Sequence, residues 1–189
     1  MNIFVLHTDP VMAARMHCDK HVPKMCVEAA QMMASALRRH GATDEQMPLT
    51  KAGRPYLGGY KNHPCTVWAG DSRDNFMWLA RHAQRLLREY MQRFDRIHAC
   101  HGPIEIMSTM DYIIPEGELT PFALAMPDEY RPKHSTTTLP IDRDRYIVTH
   151  AAGNDGVQAY RRYYHSKQFA KWEKGRPAPD WWRGGEVTE

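Results

Sequence analysis

The chain has few of the features that mark secreted, membrane or disulfide-bonded proteins. Its four cysteines form no C-x-x-C pair and lack the spacing of a secreted disulfide scaffold. No apolar run is long enough to span a membrane, and the N-terminus has neither the basic start nor the apolar length of a signal peptide. Repeats and low-complexity segments are absent. We therefore expect an intracellular, cytoplasmic protein without a membrane partner.

Convincing strand patterns are also missing, whereas helical spacing recurs along the 189 residues. The length suits one domain that buries its own core, and the net charge of +3 permits a polyanionic partner without requiring one. The sequence predicts a mainly α, compact single helical domain over 1–189, and we expect a monomer. Core helices fall at about 10–40 and 72–95, a C-terminal helix and irregular aromatic tail at about 154–182, and 133–150 is expected to be irregular.

The first helical region begins at Asp9-Pro10, where Asp can cap a helix and Pro suits its first turn. Pro23 is incompatible with one straight helix because it removes a backbone donor. Either the helix kinks there, or a second helix starts near Asp19 with Pro23 close to its first turn. Gly41 is placed to end it.

A polar stripe on this region carries the groups that chemistry needs. His17, His21, Lys24, Glu28 and Gln31 recur at intervals of four, three, four and three, which aligns them along one helix face. Two imidazoles, an ammonium and a carboxylate in a row can titrate against one another, as acid–base or nucleophilic catalysis requires. The alternative is a solvated face that happens to contain histidines. The opposite face is apolar and predicted to be buried: Val22, Met25, Cys26, Ala29, Met32, Met33, Ala36 and Leu37.

Two basic segments follow the stripe. The loop 41–64 combines Gly and Pro with Lys51, Arg54, Lys61, His63 and the aromatic Tyr56 and Tyr60, a mixture that suits phosphate contacts and base stacking. The next helix, capped by Asp71 or Ser72, carries five arginines; the alternative is a solvated face with salt bridges. Those arginines are Arg73, Arg81, Arg85, Arg88 and Arg93, and the predicted core face is Phe76, Leu79, Ala80, Ala83, Leu86, Leu87, Tyr90, Met91 and Phe94.

Other chemistries find less support. His17 and His21 stand four residues apart and H-A-C-H occupies 98–101, but neither has finger or H-E-x-x-H spacing, and Lys20 and Lys24 would repel a cation. Gly58-Gly59 lacks the ending of a phosphate loop, and Cys18 beside His17 does not define a cysteine protease. We expect no metal and no cofactor.

Four features, in order, resemble the pyrimidine-dimer DNA glycosylases of the phage endonuclease V type. The run D-K-H at 19–21 followed by Glu28 is similar to the D-x-H-(six residues)-E pattern of the family's first long helix. G-Y-K-N-H-P at 59–64 looks like G-Y-x-N-H-P in broader members, and the arginine-rich helix stands where the family's second long helix stands. Y-R-R-Y-Y at 160–164 is similar to the family's aromatic Y-K-Y-Y. The resemblance covers half of the chain, with insertions after Leu6 and between Asp95 and Asn154.

The resemblance implies an enzyme that binds duplex DNA, flips a nucleotide out of the stack and cleaves its glycosidic bond. In the family an N-terminal α-amine attacks the sugar C1′ and forms an imine, and the helix glutamate, here Glu28, assists. The chain departs from that pattern at three points. Asn2 is too large for routine removal of Met1, and the family's arginines correspond to Val27 and Gln31. Hydrolysis or group transfer assisted by Glu28 is therefore favoured over imine chemistry.

The resulting prediction is a base-excision N-glycosylase, with or without AP-lyase activity, acting on damaged or modified pyrimidines in duplex DNA. Catalysis is assigned to Glu28 with His21, Lys24 and His17. Three alternatives stay open: a phage enzyme that transfers a group onto a modified thymine, a non-catalytic nucleic-acid-binding protein, and a small-molecule enzyme. The predicted DNA contacts are Lys20, Gln31, Lys51, Arg54, Tyr60, Lys61, Asn62, His63, Arg81, Arg85, Arg88, Arg161 and Tyr163.

Overall fold

Helices are the main regular secondary structure of the computed structural model, which describes residues 1–132, 137–140, 147–151 and 153–184. Within these residues the helices are α1 (Pro10–Arg15), α2 (His21–Arg39), α3 (Pro64–Asp71), α4 (Arg73–Phe94), α5 (His101–Met107) and α6 (Gly153–His165). Short 3-10 turns lie at Asp111–Ile113 and Asp128–Tyr130. The prediction of a mainly α protein is confirmed. None of the helices in these ranges combines the length and the apolarity that crossing a bilayer requires.

The break between α1 and α2 shows whether Pro23 kinks one long helix or lies in the first turn of a second helix. The Asp9 side chain accepts a hydrogen bond from the Met12 N–H at 2.8 Å, so α1 begins as predicted. A turn follows, and α2 starts at His21 with Pro23 in its first turn, where a missing N–H costs no helical bond. The second of the two predicted arrangements is therefore confirmed. Gly41 follows the end of α2 with φ +90°, as a helix-terminating glycine should.

The centre of the core lies where α2 and α4 pack together, with α1 and α3 against them. Ser72 caps α4 by accepting a hydrogen bond from the Asn75 N–H at 3.2 Å. The predicted core face of α4 is correct over Phe76–Leu87 and wrong at Met91, whose exposed fraction is 51%. Two residues later Arg93 is buried, because it belongs to an ion-pair network.

That network is built around Glu89, whose side chain is fully buried. Its carboxylate pairs with Arg93 at 3.0 Å, with Arg85 one turn earlier at 2.5 Å, and with Arg176 from the C-terminal segment at 2.8 Å. Three guanidinium groups offset the cost of burying one carboxylate. The alternative of a solvated face with salt bridges is therefore correct only in part, because Arg85 and Arg93 form salt bridges but Arg93 is buried. The network also ties the irregular aromatic tail to α4.

Two features of the fold were not predicted. Helix α3 starts at Pro64 and is capped by the His63 ring, which accepts a hydrogen bond from the Cys65 N–H at 3.2 Å. A small antiparallel sheet, of order β1-β3-β2, consists of β1 (Phe122–Ala123), β2 (Thr137–Pro140) and β3 (Ile147–Ala151). The expectation of irregular structure over 133–150 is therefore wrong at 137–140 and 147–150. The rest of that range lies outside the described residues.

The N-terminal segment, residues 2–6, is buried between α2 and α6. It joins no sheet among the described strands. Arg161 of α6 donates to the Leu6 carbonyl at 3.0 Å, and Asn2 donates to Glu28 of α2. This segment brings the start of the chain to the polar face of α2.

Candidate active site

Glu28 is the one carboxylate on the polar face of α2, and three nitrogen groups surround it. The Asn2 N–H donates to Oε2 at 2.6 Å, and the α-amine of Met1 lies 4.0 Å from the same oxygen. The Lys24 ammonium, one turn earlier, lies 3.5 Å from Oε1. The Glu28 side chain is 12% exposed, so the carboxylate is mostly withdrawn from water but open on one side. Such a group can stabilise developing positive charge or accept a proton.

Two pockets meet at this carboxylate. The inner pocket, about 190 Å³, lies towards α6, and the outer pocket, about 300 Å³, lies towards the loop before α3. Both are lined by Met1, Lys24 and Glu28. The inner pocket adds Asn2, Phe4, His21, Tyr163, Lys167 and Phe169, and the outer pocket adds Val27, Gln31 and Tyr60. Glu28 therefore stands on the ridge between an aromatic pocket and a more open one.

The wall of the inner pocket is a stack of rings. Phe4 has a left-handed backbone, φ +52°, and its ring stacks on His21 at 4.7 Å and on Tyr163 at 5.8 Å between centroids. The Lys167 ammonium lies 3.6 Å from the centre of the Tyr163 ring, within cation–π range. The sequence indicated neither Phe4 nor Lys167, because the chain separates both from Glu28 and only the fold brings them together. A non-glycine residue at positive φ is uncommon and often marks a functional site.

His21 lines the inner pocket as a neutral ring. Its Nδ1 lies 2.7 Å from the Tyr164 hydroxyl, which is itself buried. Burial, followed by the proximity of the His17 ring and of the positive charge of Lys24, lowers the pKa of His21 to about 3. At neutral pH His21 can therefore orient a substrate group by hydrogen bonding, but it is not a general acid.

His17 is not on the polar stripe, and its predicted position is wrong. It precedes α2, in the turn after α1, and is fully buried, because the break between the helices turns its ring inward. Its Nδ1 pairs with the Ala13 carbonyl at 2.9 Å, and its ring lies 5.2 Å from that of His82 in α4. His17 lines neither pocket.

These buried histidines make the fold sensitive to acid. Burial lowers the pKa of His17 to about 4 and that of His82 to about 3, against 6.5 in an unfolded chain. Below pH 6.5 the unfolded chain binds protons that the folded one excludes, so stability falls as the pH drops from 6.5 towards 4. Each such histidine contributes a slope of up to about 1.4 kcal/mol per pH unit.

His82→Phe tests this acid sensitivity, because it keeps the ring that stacks on Trp78 and removes one titrating group. Urea unfolding between pH 7 and 5 should show a pH dependence of the free energy of unfolding that is shallower by about 1.4 kcal/mol per pH unit at most. His101→Phe, on the surface, controls for the loss of a histidine. An unchanged slope in His82→Phe would contradict the burial argument.

His63 lies in the same loop as Tyr60, which lines the outer pocket. It is half-buried, and burial followed by the charge of the Met1 amine lowers its pKa to about 4. Tyr60, Lys61, Asn62 and His63 together line a further open concavity of about 460 Å³ beside the outer pocket.

The remaining predicted DNA contacts divide into two groups. Lys20 lies over the Phe169 ring at 4.7 Å, Gln31 lines the outer pocket, Tyr163 lines the inner pocket, and Arg161 supports the N-terminal segment. The second group is Lys51, Arg54, Arg81 and Arg88, all exposed, and Arg85, which is paired with Glu89. None of these five, nor Lys20 or Arg161, lines either pocket. The roles assigned to all of these residues stay predictions.

In the described part of the chain, no group of three or more His, Cys, Asp or Glu side chains is placed to hold a metal ion.

No curated protein and no solved structure matches this sequence. Residues 1–101 match the family model described as pyrimidine dimer DNA glycosylase, and this region contains Glu28, the loop with His63, and α4. Helix α6, Lys167 and Phe169 lie beyond the match. With more than half of its residues in that match, the chain belongs to the pyrimidine dimer DNA glycosylase family.

Proposed function

We propose that this protein is a base-excision N-glycosylase that acts on damaged or modified pyrimidines in duplex DNA, with Glu28 as the catalytic carboxylate. DNA as the substrate class follows from the family. The observation that carries the proposal is the setting of Glu28: mostly buried, with the Met1 amine at 4.0 Å and Lys24 at 3.5 Å, and open to two pockets. A nucleophile and a carboxylate side by side are what cleavage at a sugar carbon needs.

Glycosidic cleavage develops positive charge on the sugar, and a fixed carboxylate stabilises that charge. In the hydrolytic route a water oxygen bonds to C1′, the bond from C1′ to the base nitrogen breaks, and the base leaves with the electron pair. Glu28 accepts the proton of the water. In the amine route the nitrogen of Met1 takes the place of the water oxygen, and Glu28 accepts the proton from nitrogen. Both routes need Glu28 ionised.

The inner pocket suits an extrahelical nucleotide. Reaching C1′ requires the target to leave the base stack, and flipped bases are held by aromatic rings and hydrogen bonds. Phe4, Tyr163 and Phe169 supply aromatic walls, and His21 supplies a neutral hydrogen-bonding group. Lys24 and Lys167, at the same pocket, are cations that a DNA phosphate can meet.

A duplex oligonucleotide with one cyclobutane pyrimidine dimer tests the proposal against an undamaged duplex. The expected result is base release at the dimer, seen as an alkali-labile site after photoreversal, and none in the undamaged strand. Binding to both duplexes without release would instead support a nucleic-acid-binding protein. On a third duplex that carries a modified thymine, a mass gain with the glycosidic bond intact would support group transfer. No binding to any duplex at low salt would support the small-molecule enzyme.

A further inference from the structure

An exposed apolar tip stands beside the outer pocket. We name residues 57–60, Leu-Gly-Gly-Tyr, the loop tip. Leu57 is 75% exposed and Tyr60 is 69% exposed, on either side of the glycine pair. The Tyr60 ring contacts no other aromatic ring in the part of the chain that the structure describes. Large apolar side chains in water beside a DNA site suggest insertion into the duplex, because minor-groove and base-flipping proteins use such side chains as wedges.

The loop tip is fixed on α2 rather than loose. The Ser35 hydroxyl donates to the Gly59 carbonyl at 3.0 Å and accepts from the Gly59 N–H at 2.8 Å. Gly58 has φ +81°, and a Cβ on it would fall 2.6 Å from the Ser35 backbone nitrogen, so no larger residue fits without moving the loop. The helix that carries Glu28 therefore also sets the position of the loop tip.

Tyr60 itself is held in an uncommon conformation. Its φ is +53°, and its carbonyl accepts a hydrogen bond from the His63 N–H at 2.9 Å. This backbone presents the side chain to solvent at the edge of the outer pocket, across the Glu28 ridge from the inner pocket. A sugar held at Glu28 thus has ring-lined space for its base on one side and an exposed tyrosine on the other.

We propose that Tyr60 enters the base stack of the duplex at the position left by the nucleotide that turns into the inner pocket. This inference rests on the proposed function and adds to it the group that fills the gap. A flipped nucleotide leaves its neighbours without a stacking partner, and an aromatic ring replaces that stacking whatever the sequence. The tyrosine ring thereby holds the duplex open while the target is bound at Glu28.

The binding test uses a duplex with a tetrahydrofuran abasic analogue and 2-aminopurine as its 3′ neighbour, in a Glu28→Gln background. With Tyr60 present, saturating protein should quench the 2-aminopurine fluorescence, because the ring stacks on it. Tyr60→Ala should remove most of the quench and Tyr60→Phe should keep it. Tyr112→Ala, which removes a tyrosine of 63% exposure outside the pockets, should leave the quench unchanged. Equal fluorescence of the duplex when bound by the protein with Tyr60 and by the Tyr60→Ala variant would overturn the proposal.

The kinetic test compares a paired dimer-containing duplex with one in which two tetrahydrofuran residues face the dimer, so that fewer stacking and pairing contacts are lost on flipping. Tyr60→Ala should slow single-turnover excision about tenfold on the paired duplex and by about twofold or less on the other. An equal loss of excision rate on both duplexes, or no loss on either, would overturn the role of Tyr60 as a wedge. Base release by the wild-type protein would still support the proposed function in that case. Quenching that depends on Tyr60 without any base release by the wild type would overturn the proposed function and leave the wedge standing.

Discussion

Glu28→Gln is expected to lower the single-turnover rate of base excision at least about 100-fold, with DNA affinity within about twofold of wild type. Gln keeps the shape of the side chain, and its carbonyl oxygen can still accept from the Asn2 N–H. What it loses is the negative charge that faces the Met1 amine and Lys24, and with it the ability to stabilise a charged sugar or accept a proton. The rate of chemistry should therefore fall much further than binding.

The measurement is single-turnover excision with protein in excess, alongside a binding titration on the same duplex. Glu105→Gln is the matched control, because that exposed carboxylate also accepts a side-chain hydrogen bond, from Gln84 at 3.0 Å, and lines neither pocket. Thermal unfolding of both variants separates loss of fold from loss of chemistry. If Glu28→Gln kept more than about a tenth of the wild-type rate, Glu28 would not be the catalytic carboxylate.

The elements that local chemistry determines were predictable from the sequence. Asp9-Pro10 and Gly41 gave correct helix limits, because a capping carboxylate and a glycine at positive φ act within a few residues. The Lys24–Glu28 pair follows from helical spacing alone, since residues four apart share a face. The same spacing rule gave the wrong position for His17, because it assumed one continuous helix. The break before His21 instead turns the His17 ring into the core.

The rest of the site depends on contacts that no local pattern encodes. Asn2, Phe4 and Lys167 line the same pocket as Glu28 only because the N-terminal segment lies between α2 and α6. The arginines of α4 show the same limit. Spacing marked them as a charged surface, but which of them turns inward depends on Glu89 and on Arg176, a distant residue that completes the network. Two-residue β1 carries too short a pattern to predict the sheet.

Blocking the α-amine of Met1 should abolish any covalent adduct with abasic DNA, whereas Lys24→Ala should leave it. Both amines lie within 4.0 Å of Glu28, but their settings differ. Lys24 is 60% exposed, so water keeps its ammonium well solvated. In model peptides an α-amine has a pKa of about 8 against about 10.4 for a lysine, so a few hundredfold more α-amine than lysine is uncharged and nucleophilic at neutral pH. Any imine should therefore form at Met1.

Borohydride trapping on a duplex with an abasic site, followed by peptide mass mapping, identifies the amine directly. The test variants are a Gly-Ser extension before Met1, Lys24→Ala and Lys20→Ala, each checked for fold by circular dichroism. An adduct on the peptide that carries Lys24 would contradict the assignment to Met1. If the extended chain releases bases at the wild-type rate without any adduct, the reaction is hydrolytic, as the large Asn2 side chain favours. Glu28 then serves as the base for water, and the Met1 amine, 4.0 Å away, serves only as a neighbouring positive charge.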